Sequence, residues 1–463
     1  MSADANAAAT FAGERAVVVG YGASGRASLR ALLASGAEAW VTENRSAAEV
    51  SADLDPSDPV DRALDVRAGG HRPDHLDGAT LVILSPGVRP DAPVVAWARE
   101  RRLPIWGELE VGARLCRVPY VAVTGTNGKT TTSEMVAAAM RASGLSARAC
   151  GNVGYPFPRA AREPFDALVV EASSFQLAFQ SSLRPRVSVL LNVAADHLDW
   201  HGSFAAYADA KARVFAGQGG DDVHVGNAGD AEAAALSRRA PCQVRWFRGA
   251  PPSDGEVGVV DGAVVAATDG GPIEVARPRS RGRGFLADAA AAAVAALGFG
   301  LPLADVRDAL SSFAPLPHRG EIVAETGGVA FVDDSKATNP HATLEALDGA
   351  SNVVLIAGGL AKGVDLSPLA AGIPALAAVV AIGRDAAAVE AVFDGLVETR
   401  RAATMDEAVR AAFEMAPRGG SVLLAPACAS QDMFRDYADR GDRFAEAARG
   451  LAAARNQAGS NAH

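Results

Sequence analysis

Only four of the 44 basic residues in this 463-residue chain are lysine: Lys129, Lys211, Lys336 and Lys362. A coding bias that substitutes arginine wherever a surface charge suffices accounts for the scarcity. Lysines that survive it should stand where a guanidinium cannot serve, because only lysine offers a compact ammonium and an amine able to deprotonate and react. Lys129 lies in Thr124-Gly125-Thr126-Asn127-Gly128-Lys129-Thr130-Thr131. The standard phosphate loop is G-x-x-x-x-G-K-[ST]; Val123 occupies its first glycine position, which leaves a shorter G-x-x-G-K-T. The chemistry survives the shortening. Backbone amides and the helix dipole cradle phosphate, the lysine neutralises β/γ oxygens, and a threonine hydroxyl can hold Mg²⁺. A second glycine turn, Gly20-Tyr21-Gly22-Ala23-Ser24-Gly25, is followed about twenty residues later by Glu43. Taken alone it fits a dinucleotide with Glu43 on the ribose, another phosphate ligand, or a purely structural turn.

These loops need strands and helices to hold them. Ala16–Val19 reads as a buried strand, RASLRALLASG as a helix, and AWVTEN and ATLVILS as further strands, the last ending in the turn Ser85-Pro86-Gly87. Tyr120 to Val123 leads into the Gly-Lys-Thr loop, and TSEMVAAAMRASG follows as a helix. Strands ALVVEA and VSVLLNV end at Glu171 and Asn192. Polar residues at strand ends of an open α/β sheet point toward the ligand crevice, although Glu171 also fits a solvated rim and Asp196-His197 a cap. Glycine, proline and aspartate around short valine runs predict hairpins between Gly249 and Gly284. A helix Leu286–Leu297 is expected to close this domain, with a linker at Phe313–Pro317. A third unit opens near His318-Arg319 and alternates AFVDDS, a helix at His341–Leu347, NVVLIAGG, AVVAIG and SVLLAP, again α/β. Its strand ends carry Asp334-Ser335-Lys336, Gly358–Lys362 and Ala427–Ser430, and the tail beyond Gly450 is expected to fray.

Composition narrows the function classes. A net charge of −10 argues against general nucleic-acid binding, which rewards clustered lysine and arginine. Cys116, Cys150, Cys242 and Cys428 are far apart and form no CxxC pair, which argues against a disulfide framework or structural zinc and fits a reducing cytoplasm. The start MSADANAAAT lacks the basic and apolar segments of a signal peptide. The uncharged stretch Leu366–Gly383 contains Pro368, Gly372 and Pro374, and reads as a surface helix before the strand ALAAVVAIG rather than a membrane span. The expectation is a cytoplasmic protein without membrane insertion.

Together these segments resemble the Mur ligases of peptidoglycan synthesis over nearly the whole chain. The landmarks are TGTNGKTT, GNVG (Gly151–Gly154), EASSFQL (Glu171–Leu177), NVAADHLDWHG, AKARVF around Lys211, His318-Arg319, DDSKATNPHA, AGGLAKG and LAPACASQDMFRDYADRG. All four lysines fall within them. Within the family, EASSFQL, DDSKATN and the CAS segment look most like the branch that adds D-glutamate.

The resemblance implies an α/β chain of three domains: a Rossmann-like UDP-sugar domain (1–115), a central P-loop ATPase-type domain (116–315) and a Rossmann-like amino-acid domain (316–463). It implies a monomer that uses ATP to join D-glutamate to UDP-N-acetylmuramoyl-L-alanine through an acyl phosphate, releasing ADP and phosphate. The first glycine turn would then bind UDP, not NAD, with Ala23, Ser24, Glu43, Asn44, Ser85, Pro86 and Gly87 around it and Asn152 and His197 along the sugar-peptide. Residues Thr124 to Thr131 would hold the ATP phosphates, Arg319 and Asp334 would contact ATP across a domain closure, and Asp288 would lie near adenine. Two Mg²⁺ sites are implied, one from Thr130 and Glu171, the other from His197 and a carbamylated Lys211. Lys336, Thr338, Lys362, Ser430 and Tyr437 would receive glutamate. The resemblance assigns catalysis to Lys129, Glu171, His197, Lys211 and Lys336.

Three departures stand out. Many relatives carry H-N-x-x-N where this chain has Gly284-Phe285-Leu286-Ala287-Asp288; Glu43 replaces a commoner aspartate, and Tyr437 a commoner phenylalanine. An NAD-dependent oxidoreductase built on the first glycine turn would leave the Gly-Lys-Thr loop and the four lysines unexplained. A nucleotide-binding regulator without turnover, or the same ligation with L-glutamate or another amino acid, are the remaining alternatives.

Overall fold

The computed structural model describes residues 10–55, 57–280 and 282–460, with side chains described as far as Arg455. The N-terminal stretch read above for a signal sequence lies, Thr10 excepted, outside them. The chain forms two compact units. One comprises the residues up to Val193 with Trp200–Pro278 and Ala287–Phe313; the other comprises Ala194–Asp199, Arg279–Leu286 and the chain from Ala314 onward.

The first unit holds two sheets. The smaller is fully parallel, with β1 (Arg15–Val19), β2 (Glu38–Thr42), β3 (Val66–Arg67), β4 (Leu81–Leu84) and β5 (Ile105–Gly107) in the order β3-β2-β1-β4-β5. Successive side chains of a strand face opposite ways, and here both faces are buried. Ala16 and Val18 pack with Leu29 and Leu32, while Val17 and Val19 pack with Val94 and Val95. The strand order reverses direction at β1, so a crevice opens at its carboxyl end, where Gly20–Gly25 follows.

The larger sheet comprises β6 (Tyr120–Thr124), β7 (Ala147–Gly151), β8 (Ala167–Glu171), β9 (Val187–Leu190), β10 (Val223–Asn227), β11 (Gln243–Phe247), β12 (Val257–Val260), β13 (Ala263–Thr268) and β14 (Gly271–Ala276). Its order is β14-β13-β12-β11-β10-β9-β6-β8-β7, parallel from β7 to β12 and antiparallel beyond, so the expected hairpins form its outer end. The Gly-Lys-Thr strand β6 lies between β9 and β8, which places the Asn192 and Glu171 strand ends on either side of the loop.

The second unit holds β15 (Glu321–Thr326), β16 (Val329–Asp333), β17 (Val353–Gly358), β18 (Leu376–Ile382), β19 (Thr399–Arg401) and β20 (Ser421–Leu424), ordered β15-β16-β20-β17-β18-β19 with only β15 antiparallel. It too is buried on both faces, with Val353, Leu355 and Ala357 in one core and Val354 and Ile356 in the other.

Three local readings change. The helix expected at Leu286–Leu297 spans Arg283–Phe299, and it does not close its domain: Gly300 turns at φ +104° and a further helix, Leu303–Ser312, buries Val306, Ala309 and Leu310. The element before strand β18 is a 3₁₀ run, Ser367–Ala375, not an α-helix; Pro374, inside the run, lacks the N–H that an α-helix would use there. The tail does not fray at Gly450; alanine-rich sequence carries the helix Tyr437–Ser460 through it. Among the described residues no helix is long and apolar enough to cross a membrane. The four cysteines are free. Burial pushes the Cys116 thiol up to about 11 and Cys428 to about 12, and raises Cys150 and Cys242 as well.

His224, on β10, is bonded to Ser188 of β9 and to Ser237 of the helix Ala231–Ser237. The Ser188 hydroxyl on β9 donates to Gln218 Oε1 (2.6 Å), so it must accept at 2.7 Å from His224 Nδ1–H, which leaves Nε2 to accept from Ser237 Oγ at 2.9 Å. Burial holds this neutral imidazole down to about 3. The unfolded chain takes up that proton below about 6.5, so the contribution is complete above this value and is lost as pH falls toward 3. Between pH 7.5 and 5.0, His224→Gln should lose about 2 kcal/mol less stability than wild type, measured by urea denaturation; equal losses would contradict this account.

Candidate active site

The Gly-Lys-Thr loop is fixed by its neighbours. Thr124 Oγ1 donates to the Ala172 carbonyl at 2.8 Å, Thr126 N to the Asn192 carbonyl at 3.0 Å, and Asn127 N to Asn192 Oδ1 at 2.8 Å. Gly128 turns at φ +82° and Lys129 opens the helix Lys129–Ala142, which aims that helix's free N–H groups into the loop. Two ammonium groups converge there. Lys129 Nζ donates to the carbonyls of Gly125 (3.0 Å) and Thr126 (2.9 Å), and Lys211 Nζ donates to Gly125 at 2.7 Å. Lys211 is buried, with its ammonium 4.5 Å from the centre of the Tyr207 ring, and Tyr207 Oη shares a 2.9 Å hydrogen bond with Thr126 Oγ1.

Glu171, at the end of β8, is 4% exposed and accepts from Asn152 Nδ2 at 2.9 Å, while Asn152 N donates to the Glu171 carbonyl at 2.9 Å. This pairing requires Gly151, since a Cβ there would stand 2.2 Å from the same carbonyl oxygen. Thr130 and Glu171 line one cavity of about 650 Å³. A hydroxyl and a buried carboxylate are hard oxygen donors, and Mg²⁺ is commonly held by one or two carboxylates with substrate phosphate, so this pair fits the ion. Among the described residues, no three His, Cys, Asp or Glu side chains gather as a metal site. Asp288 lies against the loop, its Oδ1 2.1 Å from where a Gly128 Cβ would be.

In the smaller sheet the glycine turn and the Ser85-Pro86-Gly87 turn meet: Ser85 Oγ donates to the Gly20 carbonyl at 3.1 Å. Glu43 shapes the same turn by accepting from Tyr21 N and Asn44 N, both at 2.8 Å. Burial alone would raise this carboxyl, but the N–H groups of Tyr21 and Arg45 outweigh it and hold it low. Ala23 and Ser24 start the helix Ala23–Ala34. Ser24 interacts with the buried Glu108, which also accepts from Phe157 N at 3.3 Å and Gln176 Nε2 at 3.4 Å, and burial keeps its pKa raised. The glycine turn is thereby tied to the sheet that bears the phosphate loop.

In the second unit, the expected amino-acid residues lie at the carboxyl ends of the adjacent strands β16, β20 and β17. Lys336 and Thr338 follow β16, Ser430 follows β20, and Lys362 follows β17 with φ +52°. Lys336 Nζ stands 3.8 Å over the Tyr437 ring. Leu360 and Ala429 exchange backbone hydrogen bonds at 2.9 and 3.1 Å, which joins the Lys362 and Ser430 loops. His318 Nδ1 lies 2.7 Å from Asp333 Oδ2. Burial pushes Asp334 up to about 7, with Arg319 opposing the rise and Asp333 adding to it. His197 also belongs to this unit; it is exposed at φ +52° with Nε2 3.5 Å from Asp196 Oδ2.

Comparison with known proteins follows the same layout. Family models match in order: Mur ligase MurD-like, N-terminal domain (residues 14–107), Mur ligase middle domain (123–253) and Mur ligase, glutamate ligase domain (318–428). The UDP-N-acetylmuramoylalanine--D-glutamate ligase of Frankia casuarinae is 43% identical over 95% of this chain and 95% of its own length. That of Mycolicibacterium vanbaalenii is 39% identical over 94% and 98%. The solved UDP-N-acetylmuramate-alanine ligase of Thermotoga maritima, at 19% identity, shares the fold with a TM-score of 0.59 over 95% of this chain and 100% of that one. Fold and phosphate loop are those of an ATP-dependent, amide-bond-forming ligase. The chain belongs to the Mur ligase family, whose members use ATP and Mg²⁺.

Sequence reasoning passed over Tyr207 and Glu108. Tyr207 precedes Lys211 by four residues in the helix Phe204–Ala212, a spacing that puts both on one face and could have drawn attention to it. Alanine at Gly128 would cost about 1 kcal/mol in backbone strain and displace Asp288. Gly128→Ala should weaken binding of a non-hydrolysable ATP analogue by about tenfold in calorimetric titration, with the fold retained; unchanged affinity would contradict the loop geometry.

Proposed function

We propose that this ligase adds D-glutamate to UDP-N-acetylmuramoyl-L-alanine in peptidoglycan precursor synthesis, acting as a cytoplasmic monomer with the three domain spans given above. The observation that carries the reading is the convergence of Lys129 and Lys211 on the Gly125 carbonyl beside the Glu171 strand end. In this reading Lys129 would meet the polyphosphate, while Lys211, once carbamylated, would serve a metal beside the acceptor carboxylate. Identity of about 40% to relatives named for D-glutamate addition, over most of both chains, supports the choice of substrates.

A carboxylate resists attack by an amine, so it must first be activated. An oxygen of the L-alanyl carboxylate attacks the γ-phosphorus of ATP, and ADP leaves. Lys129 and the loop amides stabilise charge on the transferring phosphoryl group. The glutamate nitrogen then adds to the acyl carbon, loses a proton, and the tetrahedral intermediate expels phosphate. Thr130 and Glu171 would hold Mg²⁺, which when bound offsets repulsion between the anionic reactants. His197 and Lys211 would serve a second Mg²⁺, with Lys211 as a carbamate: its neutral Nζ adds to CO₂ and sheds a proton, so a cation becomes an oxygen donor. Ala23, Ser24, Glu43, Asn44 and the Ser85–Gly87 turn would receive UDP, with Asn152 and His197 along the sugar-peptide. Arg319, Asp334 and Asp288 would contact ATP, and Lys336, Thr338, Lys362, Ser430 and Tyr437 would receive glutamate.

The deciding assay is phosphate release from ATP with UDP-N-acetylmuramoyl-L-alanine and Mg²⁺, with D- or L-glutamate added in parallel. Release that depends on D-glutamate, with the UDP-dipeptide formed, is expected; dependence on L-glutamate, or none on either, would overturn the assignment. Lys129→Ala should slow turnover about 10²–10³-fold, the scale of one lost transition-state charge contact. Lys211→Arg keeps the charge but cannot form a carbamate, and should abolish turnover. An active Lys211→Arg enzyme would refute the carbamate.

A further inference from the structure

The loops that carry Lys336 and Ser430 are joined by a residue of the LAPACASQDMFRDYADRG segment to which no role was assigned. Arg440, in the first turn of the helix Tyr437–Ser460, is 1% exposed. Its Nε donates to Ser335 Oγ at 3.0 Å, Nη2 to the Ser335 carbonyl at 2.8 Å, and Nη1 to the Cys428 carbonyl at 3.0 Å. One guanidinium therefore spans the loop after β16 and the loop after β20. Ser335 is committed on every side: its hydroxyl also donates to the Tyr437 carbonyl at 2.7 Å, and its N–H donates to Asp333 Oδ1 at 2.9 Å. Lys336 is the next residue along, and the ring its ammonium covers belongs to Tyr437, three residues before Arg440. The Cys428 carbonyl is two residues before Ser430, whose own loop is already fastened to the Lys362 loop through Leu360 and Ala429.

All three acceptors of Arg440 are neutral oxygens, so its bonds do not answer its charge with a carboxylate. A planar fork with five N–H donors in fixed directions can meet three oxygens on two loops at once, whereas the point ammonium of lysine cannot hold that geometry. A buried cation is costly to keep, and burial lowers even this guanidinium to about 10. An apolar side chain would fill the space at less cost, but it would leave the two loops without a common reference.

We propose that Arg440 is a positioning residue for the amino-acid substrate, setting the distance between the Lys336–Thr338 loop and the Ser430 loop so that donors from both reach the two carboxylates of glutamate. This rests on the assignment of those loops to glutamate made above. Nothing in the geometry requires Arg440 to touch the substrate.

Steady-state kinetics of Arg440→Lys, Arg440→Met and Arg440→Ala, with melting temperatures, test the inference. KM for D-glutamate should rise about tenfold or more in each variant, while KM for ATP and for UDP-N-acetylmuramoyl-L-alanine changes less than about twofold. Lysine should rescue no better than methionine, and millimolar methylguanidinium should restore part of the loss in Arg440→Ala. An unmoved KM for D-glutamate in a folded variant, or a parallel rise in all three constants, would overturn it. Should the arginine variants not fold, Ser335→Ala removes the hydroxyl that accepts from Nε and must show the same selective rise; an unchanged KM there counts equally against the inference. The wild-type control separates the two levels: if it shows no D-glutamate-dependent turnover, the functional assignment fails and takes this inference with it. If the wild type is normal and the variants match it, the inference alone fails.

Discussion

The carbonyl oxygen of Gly125 receives two ammonium groups, at 3.0 Å from Lys129 and 2.7 Å from Lys211. Like charges so close repel, and a single backbone oxygen cannot neutralise them. An anion among these donors would relieve the repulsion, as would conversion of Lys211 to the proposed carbamate. Much of the first unit can be understood as support for this arrangement. Thr124 and Asn192 hold the loop backbone, Tyr207 both braces Thr126 and carries Lys211 on its ring, and Gly128 lets the chain turn into the helix.

Strand order turns local motifs into a site. The Gly-Lys-Thr strand lies between the strands that end near Asn192 and at Glu171, and in the second unit the loops of β16, β20 and β17 lie side by side although they are far apart in sequence. In each case the chemistry sits at carboxyl ends of parallel strands, where side chains from separate loops can meet. Hydrogen bonds between buried side chains and backbone tie these loops: Glu43 and Glu108 accept from backbone N–H groups, and Arg440 donates to a carbonyl. Such bonds are hard to break singly, because the partner would be left buried and unsatisfied.

Much of this was legible in the sequence. The α/β alternation gave the sheets, and the apolar run before Gly-Lys-Thr gave the strand and helix that flank that loop. What was not legible depended on tertiary context. Arg440 lies within the LAPACASQDMFRDYADRG segment, yet its sequence position does not reveal its role; only burial against Ser335 and Cys428 does. Glu43 was noted only as a ligand candidate; that its carboxylate also accepts from the N–H groups of Tyr21 and Asn44, and so shapes the turn, was not legible. The helix Leu303–Ser312 was passed over, and Gly300-Leu301-Pro302 proves to be a tight turn between two helices. The tail past Gly450 looked weak because a glycine in a polar, alanine-rich stretch signals fraying, but high alanine propensity outweighs one glycine.

The condition of the four thiols has a practical side. Each is free, and burial raises the pKa of all four, so at neutral pH very little thiolate is present to react. Maleimides and mild oxidants should find this enzyme a poor target. A single cysteine introduced on an exposed helix would then stand out as the reactive one, and a dye could be attached there without first removing the native residues. Motion of either unit during turnover thus becomes open to fluorescence methods on an otherwise unaltered chain.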